Sequence, residues 1–169
     1  GCTHAIIGHS ERRQYFGESD VSVNRRARAA LEHDLTPIIC VGESLAERQG
    51  GETELKIKLQ VRAALSEVSA QEAESVVIAY EPVWAIGTGE TATPEQAQEA
   101  HASIRELLAD IYDDDVAAAV RILYGGSVKP HNIDGLIEQP DLDGALIGGA
   151  SLQADSFLAI AESVQDWVG

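Results

Sequence analysis

The sequence predicts an α/β fold in which parallel strands and helices alternate five times. Five short runs carry the strand reading: HAIIG (4–8), TPIICVG (36–42), SVVIAY (75–80), VRILYG (120–125) and DGALIGG (143–149). They are nearly continuous apolar runs rather than alternating ones, as expected of parallel strands covered on both faces. The stretches between them repeat apolar residues at three and four, the period of a helix face. Such units build either an open doubly wound sheet or part of a closed barrel. At roughly 34 residues per unit, eight units would need about 270, near the usual size of a (β/α)8 barrel. On that count the 169 residues hold five-eighths of one.

The helices follow from local chemistry. Segments 21–33 and 55–68 are amphipathic and rich in alanine, arginine and glutamate. Thr93 is a good N-cap, with Pro94 at the first helical position and Gln96 completing a capping box. Ala97, Ala100, His101, Ile104, Leu107, Leu108 and Ile111 then form one face. A short helix is expected after Pro130. The last helix repeats at Phe157, Ile160, Ala161, Val164 and Trp167.

Composition narrows the classes. The chain is 44% hydrophobic and 24% charged, the balance of a globular protein, and no run approaches the ~20 apolar residues of a membrane helix. A net charge of −16 argues against nucleic acid or an anionic membrane as a bulk partner, because phosphates would be repelled. A small anion remains compatible, since backbone N–H groups can bind one locally. Cys2 and Cys40 share no metal or redox spacing, and Cys40 reads as a small core residue. A reducing, cytoplasmic setting fits. No metal-ligand spacing occurs, so neither metal nor other cofactor is expected. The sequence contains no methionine, and an apolar run begins within a few residues of Gly1. The expectation is that this is the C-terminal portion of a longer chain, forming one domain over 1–169.

Polar or glycine-rich residues follow each strand at its carboxyl end, the face where parallel α/β folds bind ligands. His9, Ser10 and Glu11 follow the first strand, Glu43 the second and Glu81 the third. Gly125-Gly126-Ser127 and Gly148-Gly149-Ala150-Ser151 follow the last two, and such loops bring N–H groups to an anion without Cβ interference. Glu81, after a buried strand, should have a raised pKa suited to a base. His9 is either a structural histidine or an uncharged partner at a polar turn. Gly87-Thr88-Gly89-Glu90-Thr91-Ala92 satisfies a dinucleotide fingerprint, but Glu81 and Pro82 separate it from its strand and no acidic residue closes a strand some 20 residues later.

Taken together, IIGHSERR, CVGE, AYEPVWAIGTGE, YGGSV and ALIGGASL resemble the triosephosphate isomerase family, in its order and at its spacings. The resemblance implies the (β/α)8 TIM-barrel family, here only its fourth to eighth βα units as an incomplete barrel, and interconversion of dihydroxyacetone phosphate and glyceraldehyde 3-phosphate in glycolysis and gluconeogenesis. It implies Glu81 as the base and His9, as neutral imidazole, as the electrophile, roles for which this family is a standard example. Ser10, Glu11, Glu43 and Tyr124 would support the site, Glu43 standing near the lid tryptophan. Gly87, Ser127, Gly148 and Gly149 would cradle phosphate. Pro82, Val83, Trp84, Ala85, Ile86, Gly87, Thr88 and Gly89 would form a lid, latched by Tyr124 and Ser127.

The resemblance also implies a first-strand asparagine and lysine, and no N-x-K sequence is present to replace them. It implies a homodimer held by a loop of the third βα unit, which this sequence lacks. The chain alone is therefore expected to be inactive, and to self-associate or require the missing units. A non-catalytic phosphate-binding or assembly module is the alternative from another class. A different sugar-phosphate isomerase on the same barrel is a third, disfavoured by the lid sequence.

Overall fold

The structure, a computed structural model, describes residues 1–88 and 90–168, the last three of these by backbone alone. Gly89 of the expected lid and the Trp167 side chain lie outside the described residues. Five strands, β1 (His4–Ile7), β2 (Thr36–Val41), β3 (Val77–Tyr80), β4 (Arg121–Tyr124) and β5 (Gly144–Ala145), form one parallel sheet. Each strand lies beside its predecessor, in the order β1-β2-β3-β4-β5. A doubly wound sheet reverses strand order at a switch point. None of the described strands does so, and the winding is that of barrel staves.

Nine α-helices lie between and after the described strands: α1 (Ser10–Phe16), α2 (Asp20–Glu32), α3 (Leu45–Gln49), α4 (Thr53–Ala64), α5 (Ala70–Ala73), α6 (Pro94–Ile111), α7 (Asp114–Ala119), α8 (Ile133–Ile137) and α9 (Ala154–Val168). The Thr93–Gln96 capping box is present at α6, and equivalent boxes start α2 (Ser19–Ser22), α3 (Ser44–Glu47) and α5 (Ser69–Glu72). Periodicity did not signal α1, α3, α5 and α7, because each is too short to repeat a face. Among the described residues no helix is long and apolar enough to cross a membrane.

The core is built in layers across the strands. Ile7, Ile39, Ile78 and Ile122 are register partners along one level of the sheet and are all buried. They belong to one cluster with Ile57 and Val61 of α4 and Ile104, Leu107 and Leu108 of α6. Fully burying each such side chain contributes about 1.5–3 kcal/mol.

Two strand readings need correction. β1 is not covered on both faces: Ile6 is 50% exposed, and β1 pairs only with β2. The run 143–149 pairs with β4 only at Gly144 and Ala145, flanked by the Asp143 N–H on the Ile122 carbonyl and the Leu146 N–H on the Tyr124 carbonyl, and the Asp143 carboxylate takes the Ile122 N–H at 2.6 Å. Arg105 of α6 bonds that carboxylate at 2.7 Å and holds the connection.

His101 is a core residue whose titration is moved far from its ordinary range. It is fully buried on α6, edge-on to the Tyr80 ring, with Nδ1 3.1 Å from the Asp141 carbonyl. A carbonyl only accepts, so Nδ1 carries the proton, and Nε2 has no partner among the described residues. Burial lowers its pKa from 6.5 to about 4. The unfolded chain then binds more protons between those values, so stability falls as pH drops from about 6.5 toward 4, by on the order of 3 kcal/mol. His101→Gln should show a smaller decline in urea midpoint between pH 7 and 5 than the parent. Equal slopes would show that His101 does not drive the loss.

Candidate active site

β3 ends at Tyr80, but Glu81 still donates its N–H to the Val41 carbonyl at 2.7 Å, as a strand residue would. Pro82 has no N–H to continue the ladder, and the chain turns away over the carboxyl end of the sheet. The Glu81 carboxylate is thereby held in the interior, with the residue 2% exposed. Its Oε1 lies 3.0 Å from His9 Nε2, and its Oε2 accepts the Ser10 backbone N–H at 3.0 Å. Burial raises its pKa above 4.5, while His9, the Ser10 N–H, the Cys40 thiol and Arg13 offset part of the rise. Burial and the neighbouring carboxylate push the Cys40 thiol up, so it remains a protonated donor.

His9 is positioned as the N-cap of α1. The Glu11 N–H donates to His9 Nδ1 at 3.3 Å. A backbone N–H can only donate, so Nδ1 holds a lone pair and the ring proton sits on Nε2, facing Glu81. The support expected of Ser10 and Glu11 comes from their backbone. Among the described residues the Glu11 carboxylate itself makes no hydrogen bond. Arg13 fixes the turn from beneath, through Gly8 O (2.7 Å), Asp20 (2.6 Å) and Cys40 O (3.3 Å).

The turn after Glu81 is anchored on Glu43. This fully buried carboxylate accepts from Trp84 Nε1 (2.8 Å), the Tyr80 hydroxyl (3.1 Å) and Arg48 Nη1 (3.1 Å). The Arg48 guanidinium also lies 4.9 Å from the centre of the Trp84 ring, in cation–π range. Val83, Trp84 and Ala85 form a 3-10 turn capped by Pro82. Further along, Thr88 donates to the Trp84 carbonyl at 2.8 Å and accepts the Glu90 N–H at 3.2 Å, and Gly87 has φ +67. Ile86 turns to the cavity described next.

A cavity of about 550 Å³ opens at the carboxyl ends of the strands, walled by His9, Glu81, Gly87, Ser127, Gly148 and Gly149. The two candidate side chains and the four candidate cradle residues thus meet in one space. At Gly148 and Gly149 an added Cβ would meet no heavy atom within 4 Å, so internal packing does not require glycine there. Gly126 differs: its Cβ would fall 2.3 Å from the Tyr124 hydroxyl. That hydroxyl is buried beside the Ala92 N–H without completing a hydrogen bond, and burial pushes its pKa up to about 12. Glu43 and Tyr124 do not line the cavity; they lie behind it.

Sequence reasoning missed three contributors. Arg48 could have been found from the Ser44-x-x-Glu47 box, whose cap Ser44 stands one turn before it on α3. Cys40 at the carboxyl end of a strand and Lys129 after YGGSV carried no separate signal.

A one-way parallel sheet with its polar groups gathered at the strand ends defines a protein of the (β/α)-barrel type. The family model described as triosephosphate isomerase matches residues 1–164, and the chain belongs to the triosephosphate isomerase family. It is 65% identical over 160 residues to a triosephosphate isomerase of Chloroflexus aurantiacus, covering 95% of this chain and 64% of that protein. Similar proteins of the same name occur in Roseiflexus sp. (60%, covering 95% of this chain and 63% of that one) and Trichlorobacter lovleyi (61%, covering 95% and 64%). The chain thus spans under two thirds of the length of these curated relatives.

Glu43→Ala would strand the Tyr80 hydroxyl and leave Arg48 without its carboxylate. A loss of about 3 kcal/mol is expected, read as a lower melting temperature. An unchanged melting temperature would show that the turn does not depend on Glu43.

Proposed function

We propose that this chain carries the base, the electrophile and the phosphate cradle of an isomerase that interconverts dihydroxyacetone phosphate and glyceraldehyde 3-phosphate. The observation that supports it most is the pairing of a buried, pKa-raised Glu81 with His9 Nε2 at 3.0 Å in a cavity rimmed by glycine loops. Glu81 removes the proton from the carbon beside the carbonyl. His9 donates from Nε2 to the carbonyl oxygen, stabilising the enediolate. His9 then takes the hydroxyl proton from the neighbouring oxygen as Glu81 returns the abstracted proton to the former carbonyl carbon, which forms the new carbonyl and restores both side chains. In the present arrangement Glu81 rests on Ser10 N–H and His9, donors that moderate its basicity. Substrate entering between Glu81 and His9 displaces that contact and frees the carboxylate.

The N–H groups of Gly87, Ser127, Gly148 and Gly149 hold the phosphate. Closure of residues 82–89, hinged on Glu43 and latched through Tyr124 and Ser127, excludes water and suppresses loss of phosphate from the enediolate. Tyr124 favours this role because its hydroxyl is buried next to Ala92 with its bond unmade.

Activity is proposed for an assembly larger than these five units. The edges of β1 and β5 and the half-exposed Ile6 favour pairing with further strands, which would close the barrel as a family member's does. The 169 residues alone are expected to self-associate in light scattering and to show no turnover in a coupled isomerase assay. Adding a polypeptide with the first three βα units of a relative should restore activity. No activity in either condition would favour the non-catalytic module instead, and a well-behaved monomer would contradict the open-edge reading. In the active assembly Glu81→Asp should lower kcat by a hundredfold or more with little change in substrate affinity. An unchanged kcat would remove Glu81 as the base.

A further inference from the structure

The cavity that we assign to a phosphate ester lies in a chain of net charge −16, so a dianion approaches against the overall field. Within these residues the N–H groups of the glycine loops are neutral and do not offset that repulsion. We propose that Lys129 supplies a cationic side chain to this cavity, in addition to the first-strand lysine that the resemblance implies, and contacts the phosphate directly from the loop after β4. The inference rests on the phosphate reading of the cavity and adds to it a residue that the glycine loops do not imply.

Four observations converge on Lys129. It is one of only three lysines in the sequence, with Lys56 and Lys58. Those two pair with Glu47 at 2.9 Å and Glu54 at 2.6 Å, whereas Lys129 has no carboxylate within 4.0 Å among the described residues. Lys129 lines the same cavity as Ser127, Gly148 and Gly149. Its loop is braced: the Lys129 N–H donates to Asn132 Oδ1 at 2.8 Å, and Asn132 Nδ2 donates to the Ser127 carbonyl at 2.9 Å. The same asparagine thus fixes the backbone of the lysine and of the cradle serine. An exposed, unpaired ammonium on a braced backbone keeps its charge near the mouth and swings its stem to meet an anion. Internal packing does not account for the placement, because Lys129 is exposed.

The test is a titration of the 169-residue chain with inorganic phosphate at pH 8, followed by calorimetry and by phosphorus NMR at low salt. Lys129→Gln should weaken binding about tenfold, the loss shrinking as salt rises toward a Debye length of about 8 Å. Lys129→Arg should retain most of the affinity, since the charge rather than the ammonium shape is at stake. Lys58→Gln, which lowers net charge equally but on α4, should bind as the parent does. If Lys129→Gln binds phosphate as tightly as the parent, Lys129 is not in the site while the cavity reading stands. If Lys58→Gln loses as much, the effect is overall charge and the proposal fails. If the parent binds no phosphate, the cavity reading fails and this inference with it.

Discussion

The structure depends on keeping one carboxylate, that of Glu81, inside the protein at the end of its central strand. Burying an unpaired carboxylate costs several kcal/mol. The surrounding elements are arranged to reduce that cost without removing it. α1 begins where its Ser10 N–H meets Oε2, His9 caps the same helix and meets Oε1, and the Cys40 thiol approaches from β2. The compensation is partial, as the raised pKa records. With a folded pKa above the unfolded 4.5, the ionised carboxylate costs stability that is lost as pH rises through that window. A strongly perturbed buried carboxylate at the mouth of a cavity is what the proposed role of Glu81 as base requires.

A second buried carboxylate, Glu43, has the opposite character. Tyr80, Trp84 and Arg48 all donate to it. The two glutamates follow adjacent strands, and the Glu81–Pro82 turn runs between them. Glu81 is only partly compensated, while Glu43 anchors the turn that follows it. Tyr80 links them, being the last residue of β3 and a donor to Glu43.

Much of this was legible in the sequence because it is encoded locally. Thr93, Pro94 and Gln96 start a helix by their own hydrogen bonds, and the structure has that cap. VVIAYEP announces a buried strand, an ionisable end and a stop within seven residues. What was not legible depends on distant partners. SERRQYF forms α1 without any apolar repeat, because the turn is held by His9, Gly17 and the arginine network rather than by a buried face. DGALIGG reads as a strand, yet only Gly144 and Ala145 pair, and the chain passes into a 3-10 turn at Gly149–Leu152. The coverage expected for HAIIG fails at Ile6 because coverage is a property of neighbours, not of the run itself. The meeting of His9 with Glu81 across 72 positions could be expected only from resemblance; the distance itself comes from the register of β1, β2 and β3.

The central claim is that Glu81 is a buried carboxylate held at raised basicity by incomplete compensation. The most direct measurement is a carbon NMR titration of the Glu81 side-chain carboxyl in selectively labelled protein, with Glu81→Gln used to assign the signal. The account predicts a midpoint above 4.5, the ordinary value for glutamate. A midpoint at or below 4.5 would mean that the donors around Glu81 fully compensate its burial, and would contradict the account.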